Sequence, residues 1–348
     1  MDSNCFCNKR VYKDIGMKIA IIGAGFYGCY LAKTLSAQHK IDIYESRSKI
    51  CMGCIVNNQN RLHLGYHYPR SKNTILQTIS SYNQFMKEFG DCVSFVSQNI
   101  YAIHENSKID YESYKELFDS YGLDHKEVFR SDDVWKKIRN PKDFQGALYT
   151  SEGVINVDKL RLKVTQPLYV DKNIKIFCNH PVNSHNIDSL KEKYDYIINC
   201  TYNHPFIGFK KPPMEIKKEH CVIAIMKDSN YDNFAFTVMD GDFCSLYPIR
   251  EDVFSLSSVV YTPFSKLESP SFEIKNILQK IISDNEKYFF IKERNIVDYY
   301  FGVKAKIKND LDDERETHVL REGNLISVFA GKVSTVMCSV KEVKSQIV

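Results

Sequence analysis

The chain has 348 residues, 43% hydrophobic and 26% charged, which are ordinary globular proportions in a length that suits two intertwined domains. A formal net charge of +4 without basic blocks argues against nucleic acid as a partner, and no apolar run reaches the ~20 residues that span a bilayer. Eleven scattered cysteines, an odd number, suit free thiols in a reducing cytoplasm rather than a disulfide framework.

Residues 1–16 are polar, lack the apolar core of a signal peptide and read as an extension before the fold proper. At Met17 an apolar run of strand length begins. It meets Gly23-Ala24-Gly25-Phe26-Tyr27-Gly28 and passes into a helical pattern with Tyr27, Leu31 and Leu35 at intervals of four. A second apolar strand, 41–44, ends at Glu45, about 20 residues past the first glycine, where a ribose-binding acid is expected. Gly23 permits the sharp turn, Gly25 lets backbone approach a pyrophosphate, and Gly28 lets the helix pack closely. The N–H groups at the helix start, around Phe26 and Tyr27, then face the phosphates. Together these features predict dinucleotide binding.

After Glu45 the chain makes a polar detour, starting at Ser46 and Arg47 and running to residue 71, which suits a dinucleotide with a far end to reach. Within it, Cys51-Met52-Gly53-Cys54 has no second pair to close a zinc site and reads as a loop. The spacing predicts a helix over 73–89, strands at 93–96 and 100–104, helices at 111–121 and 131–138, and a linker over 146–156. A helix over 157–170 and strands at 174–178 and 196–200 return to the nucleotide-binding sheet. Runs at 221–226, 234–239, 243–247 and 253–261, with Asp240-Gly241-Asp242 as a hairpin turn, predict an antiparallel sheet. A helix over 272–288, strands at 297–303 and 325–329, and a final helix to about 345 complete the chain. The expected class is α/β (α+β overall): a Rossmann-type domain from residues 17–80, 152–206 and 296–348, and a mostly antiparallel substrate domain from 81–151 and 207–295.

The sequence resembles flavoproteins of the D-amino-acid oxidase superfamily from Met17 onward. Besides the glycine motif, Asn58-x-x-x-x-His63-x-Gly65-x-x-Tyr68 follows Glu45 at the spacing of the hydroxyglutarate branch, where this loop passes the flavin ring. The strand 194–201 resembles one that passes the cofactor, so Cys200 and Thr201 are candidate contacts, with Tyr202 where the family usually has glycine. Gly302-Val303-Lys304 resembles a Gly-x-Arg that meets a substrate carboxylate, with lysine, a point charge, in place of the arginine fork. Gly331-Lys332-Val333-Ser334-Thr335 is similar to a turn whose following helix aims at the flavin in glycerol-3-phosphate enzymes. The resemblance implies FAD and hydride transfer from a CH–OH or CH–NH group of a small polar substrate.

Among candidate side chains, His63 and His67 share parity, so on an extended strand they share a face, and either can take up a proton near neutrality. Lys304 is the third catalytic candidate, and Lys306 could join it and Lys332 in a basic wall unless Asp310, Asp312, Asp313 and Glu314 pair with them. Tyr68, Arg70, Tyr247 and Arg250 are candidate substrate contacts. No metal-ligand cluster stands out. Two alternatives remain beside the oxidoreductase: a flavin-dependent sugar mutase of the UDP-galactopyranose type, disfavoured by the order of its glycines and histidines, and a nucleotide-binding protein without catalysis.

Overall fold

In a computed structural model, residues 16–264, 270–308 and 314–347 are described. Most of the expected extension and the aspartates 310, 312 and 313 lie outside them. The fold is mixed α/β, with two large sheets and a small one between them.

The first sheet has six strands in the spatial order His318–Glu322, Leu325–Phe329, Tyr196–Asn199, Lys18–Ile22, Lys40–Tyr44 and Ile174–Phe177. All neighbours are parallel except the first two, which form a hairpin. Its central strands are covered on both faces, which is why they read as unbroken apolar runs rather than alternations. The helices Phe26–Leu35, Val157–Val170 and Val336–Gln346 share one core with it, through Leu31, Leu160, Val164, Ile198, Val336 and Val343. Asn156 caps the second of these helices, accepting the Lys159 N–H at 3.0 Å.

The second sheet has nine strands and is antiparallel, save for the parallel pairing of Phe234–Met239 with Gln98–His104. The helix Pro270–Asn285 packs on it through Ile281 and Ile282. The strand Ile296–Ile307 pairs along nearly all of Ile216–Lys227 in this sheet. The sequence placed it with the cofactor side; its long run of ladder hydrogen bonds puts it on the other sheet.

The supposed linker over 146–156 is two strands, Phe144–Thr150 and Gly153–Ile155. Gly146 looked like a linker residue, but it packs flat under the Tyr111 ring, where a Cβ would come within 2.6 Å. The helix expected over 131–138 is a short 3-10 turn, Asp133–Lys137, without a side-chain cap. The helix Ile187–Lys193 and the strand His318–Glu322 were not expected from the sequence.

The small sheet positions the site. Arg61–Leu62 pairs with Gly153–Ile155, which pairs in turn with Val93–Phe95. This brings the detour loop after Glu45 against the segment around residue 152.

Candidate active site

The glycine turn has the geometry its sequence implies. Gly23 has φ +89° and rests on the backbone of Cys200 and Thr201, so any side chain would be strained and crowded there. A Cβ on Gly28 would fall 2.0 Å from the Gly23 carbonyl oxygen, whereas a Cβ on Gly25 would meet no atom within 4 Å. The space over Gly25, at the start of the helix Phe26–Leu35, is thus a cradle that a side chain would fill, and no side chain caps that helix. The Glu45 carboxylate accepts from the N–H of Ala24 at 2.8 Å, the N–H of Arg47 at 2.9 Å and the Ser46 hydroxyl at 3.2 Å. Beyond it an open hollow of about 450 Å³ is lined by Arg47, Ser48, Lys49 and Met52. The Phe26 side chain belongs to the core, against Tyr30 and Phe89, leaving only its backbone to the turn.

Tyr27 ties the C-terminal turn to this motif. Its buried hydroxyl donates to the Lys332 carbonyl and lies 3.0 Å from Thr335 Oγ1 and 3.1 Å from Thr317 Oγ1. Thr317 accepts the Gly331 N–H and Thr335 the Lys332 N–H, both at 2.9 Å. Val333 and Ser334 complete the turn, accepting backbone N–H groups from the first residues of the final helix.

A buried polar cluster lies where the detour loop meets the small sheet. Residues 63–68 turn sharply around Gly65, φ +129°, so His63 and His67 meet across a turn and not along a strand face. Their rings are 5.2 Å apart, and Tyr68 lies edge-on to both at 5.6 and 5.1 Å. Glu152 is fully buried. Its carboxylate accepts from Leu64 N–H at 2.8 Å and Tyr101 O–H at 2.5 Å, and sits 3.2 Å from His63 Nδ1. Burial pushes the Glu152 carboxyl up to about 7 despite these donors, and burial, then Lys332 and Arg61, holds the His63 imidazole well below its usual range. His63 is therefore neutral near pH 7, and an ionised Glu152 takes its Nδ1–H, leaving Nε2 as a proton acceptor. Lys332 Nζ stands 4.1 Å over the Tyr68 ring, and burial, then Arg61, lowers its ammonium to about 7. Arg61 lies over the Tyr247 ring at 4.2 Å.

The profile of the family described as "FAD dependent oxidoreductase" matches residues 18–313, well over half the chain. The chain belongs to the FAD dependent oxidoreductase family. Two fungal relatives are similar to it along most of their length: the FAD-dependent monooxygenase FPY4 of Fusarium mangiferae, 27% identical over 94% of this chain and 90% of its own, and the FAD-dependent monooxygenase kojA of Aspergillus flavus, 24% identical over 94% and 85%. Among solved structures, an L-alpha-glycerophosphate oxidase from Mycoplasma pneumoniae with FAD bound matches with a TM-score of 0.71 at 12% identity, over 95% of this chain and 94% of its own. A glycine oxidase from Geobacillus kaustophilus gives 0.69 at 11%, over the same shares. At such identity these show the fold. The protein is an FAD-dependent enzyme, and the sugar-mutase alternative gains no support.

Within this FAD dependent oxidoreductase, the sequence candidates divide. Gly23, Gly25, Gly28, Glu45, Ser46, Arg47, Cys200 and Thr201 surround the turn, and Tyr27 joins it to 331–335. His63, His67, Tyr68, Tyr247 and Lys332 share the buried cluster. Five others lie elsewhere. Asn58 is exposed, its side-chain oxygen accepting from the next N–H at 2.7 Å. Arg70 is exposed and donates to Asp240 at 2.8 Å, and Arg250 is exposed where its strand turns back toward Val253. Lys304 faces Glu219 in register on the strand Ile296–Ile307, and Lys306 pairs with Glu219 at 3.3 Å, so these two build no wall with Lys332. Cys51 turns toward Cys29 and Cys54 toward Val303, which separates the Cys-x-x-Cys pair. Tyr202 holds φ +53°, stacking on Phe329, so the position does demand the left-handed conformation that glycine gives elsewhere in the family.

Three residues of the cluster went unweighed in the sequence: Arg61, Tyr101 and Glu152. Arg61 and Glu152 are charged residues beside short apolar runs, Leu62 on one side and Val154-Ile155 on the other, and that is the one signal the sequence offered.

Proposed function

We propose that this enzyme oxidises a CH–OH or CH–NH group of a small polar substrate, with His63 as the proton acceptor and Glu152 as the residue that orients it. The supporting observation is the His63–Glu152 contact at 3.2 Å, inside a buried cluster that also holds Lys332 from the turn tied to Tyr27. Gly23, Gly25, Gly28 and Glu45 would hold FAD at the turn, and the flavin would supply the acceptor for the hydride. The proton lost from the substrate O–H or N–H as its carbon is oxidised passes to His63 Nε2. Glu152 fixes the tautomer and offsets the charge the imidazole gains. Tyr68 and Lys332 close the site from the other side, and a lysine that is half-charged near pH 7 balances negative charge developing beside it. We assign the six-stranded sheet to the cofactor and the face of the nine-stranded sheet bearing Tyr247 to the substrate. Among the described residues no helix is long and apolar enough to cross a membrane, and the free thiols support a cytoplasmic setting.

Anaerobic rapid mixing of the FAD-loaded protein with a panel of hydroxy acids, alcohols and amino acids tests this reading. His63→Ala should keep its flavin and reduce it on the order of 10²–10⁴-fold more slowly. An unchanged rate would make His63 a loop residue. The monooxygenase names of the fungal relatives support a second reading, in which the flavin is reduced only by added NADH or NADPH and oxygen enters the product. The same experiment separates the two.

A further inference from the structure

We infer that Tyr27 is a positioning residue for Lys332, fixing the lysine's backbone and so the place from which its side chain acts on the flavin; the inference rests on the role given to Lys332 above. Tyr27 is the second residue of the helix Phe26–Leu35, so its backbone belongs to the helix start that faces the phosphates. Its side chain runs into the core, where a phenol hydroxyl is costly unless it is bonded. Burial pushes that hydroxyl well above its usual range, so it stays protonated and donates. The donors on the Lys332 carbonyl are Tyr27 O–H and Thr335 O–H, the second at 2.9 Å, and together they fill both lone pairs of the oxygen. The N–H groups of Lys332 and Gly331 donate to Thr335 and Thr317, each at 2.9 Å. The Thr317 hydroxyl lies 3.1 Å from that of Tyr27 and 2.7 Å from that of Thr335, and donates to one of them. Both backbone polar groups of Lys332 are thus held by hydroxyls, and of the three only Tyr27 brings its hydroxyl from the cofactor helix.

The rest of the network is anchored independently. Gln77, on the helix Lys72–Phe89, accepts the Thr317 N–H at 2.8 Å and donates to the Thr317 carbonyl at 3.1 Å. Removing the Tyr27 hydroxyl therefore leaves the turn in place and takes one of two donors from the Lys332 carbonyl. The lysine side chain depends on that backbone. Among the described residues no carboxylate pairs with it, and its ammonium stands 4.1 Å over the Tyr68 ring, whose face does not fix a cation at one point as an acid's oxygens do. One residue thus joins two ends, with its backbone at the cradle over Gly25 and its hydroxyl at Lys332, and the length of its side chain sets the separation between them. A positioned group displaced by about 1 Å can cost on the order of 10²-fold in rate, so this separation matters.

Tyr27→Phe and Lys332→Met, alone and combined, test this in the full chain, with FAD affinity, the midpoint potential of the bound flavin and its rate of reduction by substrate as readouts. A cation beside the flavin favours the reduced ring, so Lys332→Met should lower the potential, and Tyr27→Phe should lower it by less in the same direction. Tyr27→Phe should bind FAD within about threefold of the wild type and be reduced on the order of tenfold more slowly. In the combined variant neither potential nor rate should move beyond its value in Lys332→Met, because the place of a lysine matters only while the lysine is there. Should Tyr27→Phe not fold, Thr335→Ala removes the other donor to the same carbonyl and takes its place in the cycle, with the same non-additive result expected. Additive changes in the combined variant, a potential unmoved by Tyr27→Phe, or FAD binding weakened about tenfold or more by it overturns the inference and leaves the role of Lys332 standing. A Lys332→Met protein with the potential and rate of the wild type defeats that role itself, and the inference with it.

Discussion

The glycine turn and the buried cluster are two polar centres of the same molecule built from different materials. The turn uses backbone: three glycines, a helix start and one acid, all just past the ends of two adjacent strands of the six-stranded sheet. The cluster uses side chains delivered by separated segments, with Arg61 and His63 from the detour, Tyr101 and Tyr247 from the nine-stranded sheet, Glu152 beside the small sheet and Lys332 near the C terminus. Backbone sites tolerate almost no change in residue size and need little burial. Side-chain sites tolerate changes of size better but depend on burial and charge.

The sharpest test of that contrast substitutes two glycines three positions apart. Gly28→Ala puts a methyl 2.0 Å from the Gly23 carbonyl oxygen, a backbone atom and not the end of a flexible side chain, so its cost should exceed the ~1–3 kcal/mol of ordinary overpacking, enough to threaten a fold of marginal stability. Gly25→Thr meets no protein atom, and threonine is as good an N-cap as glycine, so the melting temperature of the apoprotein should hold while FAD binding is lost. Thermal melts paired with flavin content per chain read both. A Gly25→Thr protein that purifies yellow would mean the pyrophosphate does not approach there.

The contrast also explains what was legible in the sequence. A backbone site is written in glycine spacing and apolar periodicity, both local, and so Lys18–Ile22, Phe26–Leu35, Lys40–Tyr44 and Val157–Val170 were readable to within a residue or so. The cluster depends on a pairing of Arg61–Leu62 with Gly153–Ile155 that no local pattern announces. Residues 146–156 contain two glycines, which pointed to a linker, yet both lie where a neighbouring side chain leaves no room for a Cβ: Tyr111 over Gly146 and Val93 over Gly153. His63 and Lys332 were legible only through resemblance to a family. Arg70 is a candidate contact through its charge, and Arg250 and Lys304 are candidates through family position; their surroundings in the fold satisfy that charge or leave it at the surface.

The dependence of the cluster on burial predicts a pH signature of intermediate size. Native Glu152 holds its proton up to about 7, more tightly than in the unfolded chain, so its contribution to stability is fully present below the usual carboxylate range and is lost as pH rises from about 4.5 to 7. In Glu152→Gln this loss is absent. The stability of the wild type minus that of the variant should therefore fall by on the order of 3 kcal/mol across this window and stay level above it. His63 acts oppositely, its depressed pKa costing stability as pH falls, but it is present in both proteins and largely cancels in the difference. Lys332, depressed to about 7, loses its contribution as pH falls toward 7 from above, outside the window. Denaturant melts of both proteins at several pH values check this. A flat difference would mean that water reaches Glu152 and that the cluster is not the dry site described above.

The smallest expected effect marks the edge of the cluster. Arg70 follows Tyr68 by two residues, but its side chain is 39% exposed and its Nε donates to Asp240, at the hairpin turn after Phe234–Met239. An exposed pair of this kind contributes ~0.2–1 kcal/mol, and the upper end applies because the Asp240 side chain is itself only 3% exposed and is left behind when the arginine is removed. Arg70→Ala should thus lower stability by about 1 kcal/mol and leave both the rate of flavin reduction and the KM for a charged substrate unchanged. Were Arg70→Ala instead to raise KM more than tenfold with stability intact, Arg70 would belong with the substrate contacts, and the division between the buried cluster and a structural rim would have to be redrawn at Asp240.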